Sequence, residues 1–240
     1  MAKRKRYLLY LIQFWILLPI CINAQDADHI LLTRVITQPD AAESISIYNP
    51  TNSPINLSDY YICDDKLYFK IQTEGDLSPS NPYKGFTARF PTVDISAGDT
   101  LHIVLNEDYN EFYGVDFVPD LFMYGSDDNS MLETEIGSIG LTEDKLKESS
   151  ELIILFKWDG TNGNLIQDID YFSWSSLSGI NYNGIDKSGE STYKNDTPVE
   201  NQLYFQTVAD QYYAYSRIGS KEETSELTTG GNGISGHDET

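Results

Sequence analysis

Residues Glu43 to Asp65 read ESISIYNPTNSPINLSDYYICDD, and this stretch decides the fold. Ile45 and Ile47 alternate with Ser44 and Ser46, the period of a half-buried strand, and Tyr48 flanks them. Asn49-Pro50 and Ser53-Pro54 force the chain out of that strand, and Ile55, Leu57, Tyr60 and Ile62 carry it into a second one. Strand, turn and strand in so short a span predict a hairpin. The segment holds no nucleophile with its base, no metal cluster and no phosphate loop, so it speaks to fold and not to activity.

Outward from this segment the same pattern recurs. Strand-like runs lie at Ile30 to Thr37, Ser44 to Tyr48, Ile55 to Ile62, Phe86 to Phe90, Thr100 to Leu105, Leu152 to Trp158, Leu165 to Phe172 and Tyr212 to Ile218. Helical periodicity is confined to the polar stretch Leu141 to Ser150. Short strands separated by Gly, Pro, Asn and Asp turns predict an all-β, immunoglobulin-like antiparallel sandwich. Asp159-Gly160 and Asn162-Gly163 supply the positive φ that a tight hairpin requires, so Trp158 to Asn164 is read as its turn. Residues 66–84 and 106–149 exceed what a sandwich needs and are read as long insertions.

The chain opens with a processing signal. Lys3, Arg4, Lys5 and Arg6 precede an apolar run from Leu8 to Ile22, and Ile22-Asn23-Ala24 ends in a small residue. Residues 1–24 are therefore expected to direct export and be removed, leaving no membrane span and a secreted or cell-surface protein. The apolar run is interrupted by Gln13 and Pro19 and is short for a spanning helix. Without those residues, 12 basic side chains stand against 37 acidic ones, a net charge of −25. So acidic a surface disfavours nucleic acid as a partner. Cys21 leaves with the signal, so Cys63 remains alone and no internal disulfide can form. Beyond residue 218 apolar residues nearly vanish, so 219–240 reads as a flexible tail or linker.

In this order the residues resemble the lamin tail domain, an immunoglobulin-like sandwich found in nuclear lamins and in exported bacterial proteins. Ser44 to Tyr48, Asn49-Pro50-Thr51 and Ile55 to Tyr61 are similar to that family's first hairpin. Arg89-Phe90-Pro91 and Ile95 to Ile103, with Ala97-Gly98, resemble its Arg-Phe-Pro and Ala-Gly segments. Ser150 to Leu155 resembles the strand after its Gly-Glu turn, although Ser149-Ser150 stand where Gly is commoner, and Tyr215 to Ile218 resembles the closing strand of bacterial members. The tail Thr229 to Thr240 is similar to a segment that follows the domain in them. The resemblance places a lamin-tail-like domain at residues 28–218 and implies recognition or scaffolding, since the family has no agreed catalytic residues.

No chemistry stands out against that reading. Gly231 to Gly236 fits G-x-G-x-x-G but has no strand before it and no room for a helix after it. His29, His102 and His237 have no zinc spacing, and no Ser sits in a G-x-S-x-G elbow. Neighbouring Asp64-Asp65 discourage a thiolate at Cys63, which reads as a small residue at a strand end, and His102 as a solvent-facing strand residue. The candidate hard-cation ligands are Asp64-Asp65, Asp168 with Asp170, and above all Asp127, Asp128 and Asn129, which would suit Ca2+. Asp168 and Asp170 are expected on one strand face, the polar outer side of a sheet. Tyr60-Tyr61, Trp174, Tyr182, Tyr212-Tyr213 and Tyr215 could form an aromatic platform, with about half turned inward by strand alternation. The expectation is a non-catalytic binding or structural module that docks a protein or glycan at the cell surface by its loops. Its alternatives are the accessory N-terminal module of a larger secreted enzyme and a stand-alone secreted hydrolase.

Overall fold

A computed structural model describes residues 25–74, 85–140, 145–176, 184–187, 199, 202 and 204–222. The expected signal at 1–24, Tyr182, and parts of the expected insertions, helix and tail (75–84, 141–144, 223–240) lie outside the described residues. The strands, in chain order, are β1 (Gln25–Asp26), β2 (Leu31–Ile36), β3 (Ser44–Tyr48), β4 (Ile55–Asn56), β5 (Tyr60–Cys63), β6 (Thr87–Arg89), β7 (Asp94–Ile95), β8 (Thr100–Val104), β9 (Leu121–Phe122), β10 (Leu132–Glu133), β11 (Ser150–Lys157), β12 (Gln167–Ser175), β13 (Tyr215–Ser216) and β14 (Lys221–Glu222). Two short helices, α1 (Ile71–Glu74) and α2 (Tyr109–Tyr113), interrupt them.

The protein is an all-β sandwich of two five-stranded sheets. One runs β13-β2-β3-β8-β9 and the other β10-β6-β5-β11-β12. Among the described residues the strands pair antiparallel except β8 with β9, and the isolated bridges Phe122–Ser130 and Trp174–Phe205 are parallel. Ile45 and Ile47 of β3 and Ile103 of β8 turn inward from the first sheet. They meet Ile62, Ala88, Ile153 and Leu155 of the second in one dry core.

The quoted segment is not a hairpin. β3 pairs with β2 and β8, β4 pairs with β7 (Ile55 opposite Ile95), and β5 lies in the opposite sheet beside β6 and β11. Residues 49–59 therefore cross from one sheet to the other, and Asn49 builds the crossing. Fully buried, it donates from Nδ2 to Ser53 O (2.8 Å) and Ile95 O (3.0 Å), and its Oδ1 accepts from Thr51 N (3.0 Å) and Thr51 Oγ1 (2.7 Å). Gly98, at φ +72°, donates its N–H to Asn49 O and closes the far side of the corner.

A third layer covers the outer face of the second sheet. Tyr61, Cys63, Leu152, Ile154, Phe156 and Tyr171 point outward, yet they are buried beneath Tyr68, Phe69, Ile71 and Ile185. Burial on both faces explains why Leu152 to Phe156 is continuously apolar instead of alternating. Part of the insertion expected at 66–84 thus packs as a cover, through a 3-10 turn at Tyr68–Lys70 and α1. The other long insertion contributes α2, whose Tyr113 hydroxyl donates to Ala42 O (2.8 Å) and lies 2.9 Å from Ser44 Oγ.

The helix expected from Leu141 to Ser150 is absent where it is described. Lys145 N (3.0 Å) and Leu146 N (2.8 Å) donate to the buried Glu43 carboxylate, and Ser150 already begins β11. The Trp158–Asn164 hairpin joins β11 to β12 as its Gly residues require, with Gly160 and Gly163 at positive φ. Asp159 accepts from Thr161 N (2.9 Å) and Asn164 Nδ2 (2.7 Å) to close it. At the C-terminal end, β14 pairs with β1, so the ordered pairing reaches Glu222, past the expected boundary at 218.

Candidate functional site

The carboxylates singled out in the sequence are dispersed. Asp127 and Asp128 are exposed and Asn129 is half-buried in the turn after β9, where Ser130 N donates to Asp127 O and Phe122 N donates to Asn129 O. Asp64 accepts from Phe86 N (2.9 Å), tying the end of β5 to the residue before β6, and Asp65 accepts from Leu67 N (2.8 Å) to hold a turn. Among the described residues no three His, Cys, Asp or Glu side chains gather as a metal site would require.

Asp168 and Asp170 correct the sequence reading twice, since both are buried and they face opposite ways. A bulge separates their partners: Leu155 pairs with Asp170 and Phe156 with Asp168. Leu155 belongs to the inner core and Phe156 to the outer one, so Ile169 is an extra residue that breaks the two-residue period. Asp170 accepts from Leu32 N of the other sheet at 2.6 Å and from Tyr171 N at 2.8 Å.

Asp168 meets Lys187 on the outer face. The Lys187 Nζ lies 2.6 Å from Asp168 Oδ2, and the Tyr68 hydroxyl donates to Oδ1 at 2.5 Å. Nothing in its spacing marks Lys187 in the sequence, because a Lys is ordinarily read as exposed. Beside them Cys63 ends β5 fully buried, and burial pushes its thiol well above the ordinary range. His102 is exposed as expected, with Nδ1 2.9 Å from Ser46 Oγ.

Of the aromatic platform, Tyr60, Tyr61, Trp174 and Tyr215 are core residues, whereas Tyr212 and Tyr213 stand exposed. Tyr213 sits on the rim of a groove of about 690 Å³ between the edges of the two sheets. Both sheets end there: β12 is the edge of one and β13, only two residues long, the edge of the other. Leu32, Val35, Phe172 and Tyr215 form its floor, and Phe205, Val208 and Ile218 continue the apolar lining onto the rim.

The rim is held in place by specific bonds. The Tyr215 hydroxyl accepts from Ala209 N (2.8 Å) and donates to Thr207 O (3.2 Å), while Gln38 Nε2 donates to Ala209 O (2.6 Å). Burial raises the Tyr215 pKa, so the phenol stays protonated to make these contacts. Tyr212 adopts φ +74°, a left-handed conformation costly for an aromatic residue. Its ring stacks on Phe112 at 5.9 Å and its N–H donates to Gln38 O (3.2 Å).

The groove carries its own charge balance. Of the three arginines after residue 24, Arg34 and Arg217 both line it, together with Asp170 and Asp210. Arg217 Nη1 lies 3.9 Å from Asp170 Oδ2. Asp170 directs its oxygens to Leu32 N, Tyr171 N and Arg217. No family model matches the chain, and no curated protein matches its sequence.

Proposed function

We propose that the chain is an exported, non-catalytic binding module of the lamin-tail kind, and that it docks an extended, apolar peptide segment of a partner protein in the groove between β12 and β13. The carrying observation is the groove itself: an apolar trough bordered by two strand edges, rimmed by exposed Tyr213 and Ile218, and electrically balanced on a chain otherwise strongly acidic. Phe205 already bonds to β12 at Ser173 and Ser175, so a peptide would be held by alternate side chains entering the apolar floor. Tyr rings supply contact area at small entropic cost. The basic, then apolar, N-terminal run supports export.

Selection from a displayed peptide library, run in parallel with a glycan array, tests this reading. The expected result is enrichment of apolar peptides whose capture is lost in the Ile218→Asp variant. Glycan binding without peptide enrichment, or enriched peptides indifferent to that substitution, would overturn it.

A further inference from the structure

We propose that Lys187 and Asp168 condense into an intramolecular amide that staples the segment around residue 187 to the outer face of β12. The Lys187 side chain is 0% exposed and the Asp168 side chain 3%, with Nζ 2.6 Å from Oδ2. Aromatic rings enclose the pair: Nζ is 5.2 Å from the Tyr68 ring centroid and 5.9 Å from that of Phe69. The approach is fixed from both sides. Asp168 sits opposite Phe156 beside the Ile169 bulge, and Gln202 clamps the lysine's segment by accepting from Ile185 N (2.9 Å) and donating to Ile185 O (2.7 Å).

In water this reaction does not proceed, because solvation holds amine and acid in their unreactive ionic forms. Burial removes that solvation, and desolvation raises the Asp168 carboxyl toward its neutral acid against the pull of Lys187. Held contact replaces the entropy of a bimolecular encounter. The proton of the Lys187 ammonium passes to Oδ2, leaving a neutral amine beside a neutral acid. The Nζ lone pair then attacks Cγ, and the carbonyl electrons move onto Oδ1, where the Tyr68 hydroxyl, 2.5 Å away, stabilises the developing charge. The Cγ–Oδ2 bond breaks as a second proton moves from nitrogen to Oδ2, and one water leaves. No oxidant or cofactor is consumed. Such a bond would supply the covalent tie that a lone Cys63 cannot.

The intact mass of the purified native chain is the test, and it requires no variant to fold. The expected mass is lower by one water than that calculated from the N-terminus found by sequencing. Trypsin should fail to cut after Lys187, and the dehydrated peptide spanning residues 158–194 should fragment as a loop joined between 168 and 187. Lys187→Met should restore the full mass, and Tyr68→Phe should slow the loss of water without abolishing folding. A native chain of full mass, or a loss of water that survives Lys187→Met and maps to another site such as Asp159-Gly160, would overturn the proposal.

Discussion

Asn49 shows how one side chain can set the route of a chain between two sheets. Its fully buried amide makes four hydrogen bonds, so removing it strips Ile95 O and Thr51 N of the bonds it supplies, while Ser53 O keeps the one from Thr51 Oγ1. Asn49→Ala is expected to lower stability by about 2–3 kcal/mol. Urea unfolding would show it, and a loss below about 0.5 kcal/mol would mean that the corner is held elsewhere. Asp64 makes a second residue-scale prediction. Burial, reinforced by Glu151, pushes its carboxyl up to about 8 from an ordinary 3.8. The folded chain then keeps a proton that the unfolded chain releases, so stability falls as pH rises between those two values. Glu151, raised by burial against the pull of Lys147, acts in the same direction. Thermal unfolding at about pH 5 and about pH 8 should show the higher Tm at the lower pH, with the difference reduced in Asp64→Asn; an unchanged difference in that variant would refute the assignment.

At the scale of elements, what could be read from the chain follows the local physics. β3 falls where Ile45 and Ile47 alternate with serines, and the β11–β12 hairpin where Asp-Gly and Asn-Gly demand it, because both signals depend on neighbouring residues alone. The crossing at residues 49–59 was misread as a hairpin because the partner of a strand is a long-range choice that no local period encodes. Asp168 and Asp170 were misplaced for a related reason: the Ile169 bulge is created by pairing with β11, and without it both would share a face. Of the site, Tyr212, Tyr213 and Tyr215 were legible as aromatics, but the sorting of Tyr215 into the floor and Tyr213 onto the rim depends on how the two edges meet. The outer layer is equally invisible in sequence, since it consists of a connection folding back on a sheet. It yields a sharp prediction. Phe156 stacks on Tyr61 at 5.1 Å and tilts against Tyr68 at 5.2 Å on that outer face, so Phe156→Ala should cost about 3–5 kcal/mol. A cost under about 1 kcal/mol would indicate an uncovered sheet.

In the molecule as a whole, a groove runs between the edge strands β12 and β13 of the two sheets. The segment from Phe205 to Ala214 borders this groove, with Phe205 bonded to Ser173 and Ser175 of β12. Of the exposed apolar side chains, Phe205, Val208, Tyr213 and Ile218 line it, while others such as Val115, Val118 and Ile136 lie elsewhere. Because Ile218 is 88% exposed, Ile218→Asp should leave Tm within about 1 °C of the native chain while abolishing peptide capture. A matching loss of stability would mean that the effect on binding is indirect. Hydrogen exchange of the native chain, free and bound to a selected peptide, tests the central claim most directly. Protection confined to residues 32–35, 170–172 and 205–218 is the predicted result; protection centred on the turn at 125–130, or none at the groove, would contradict it.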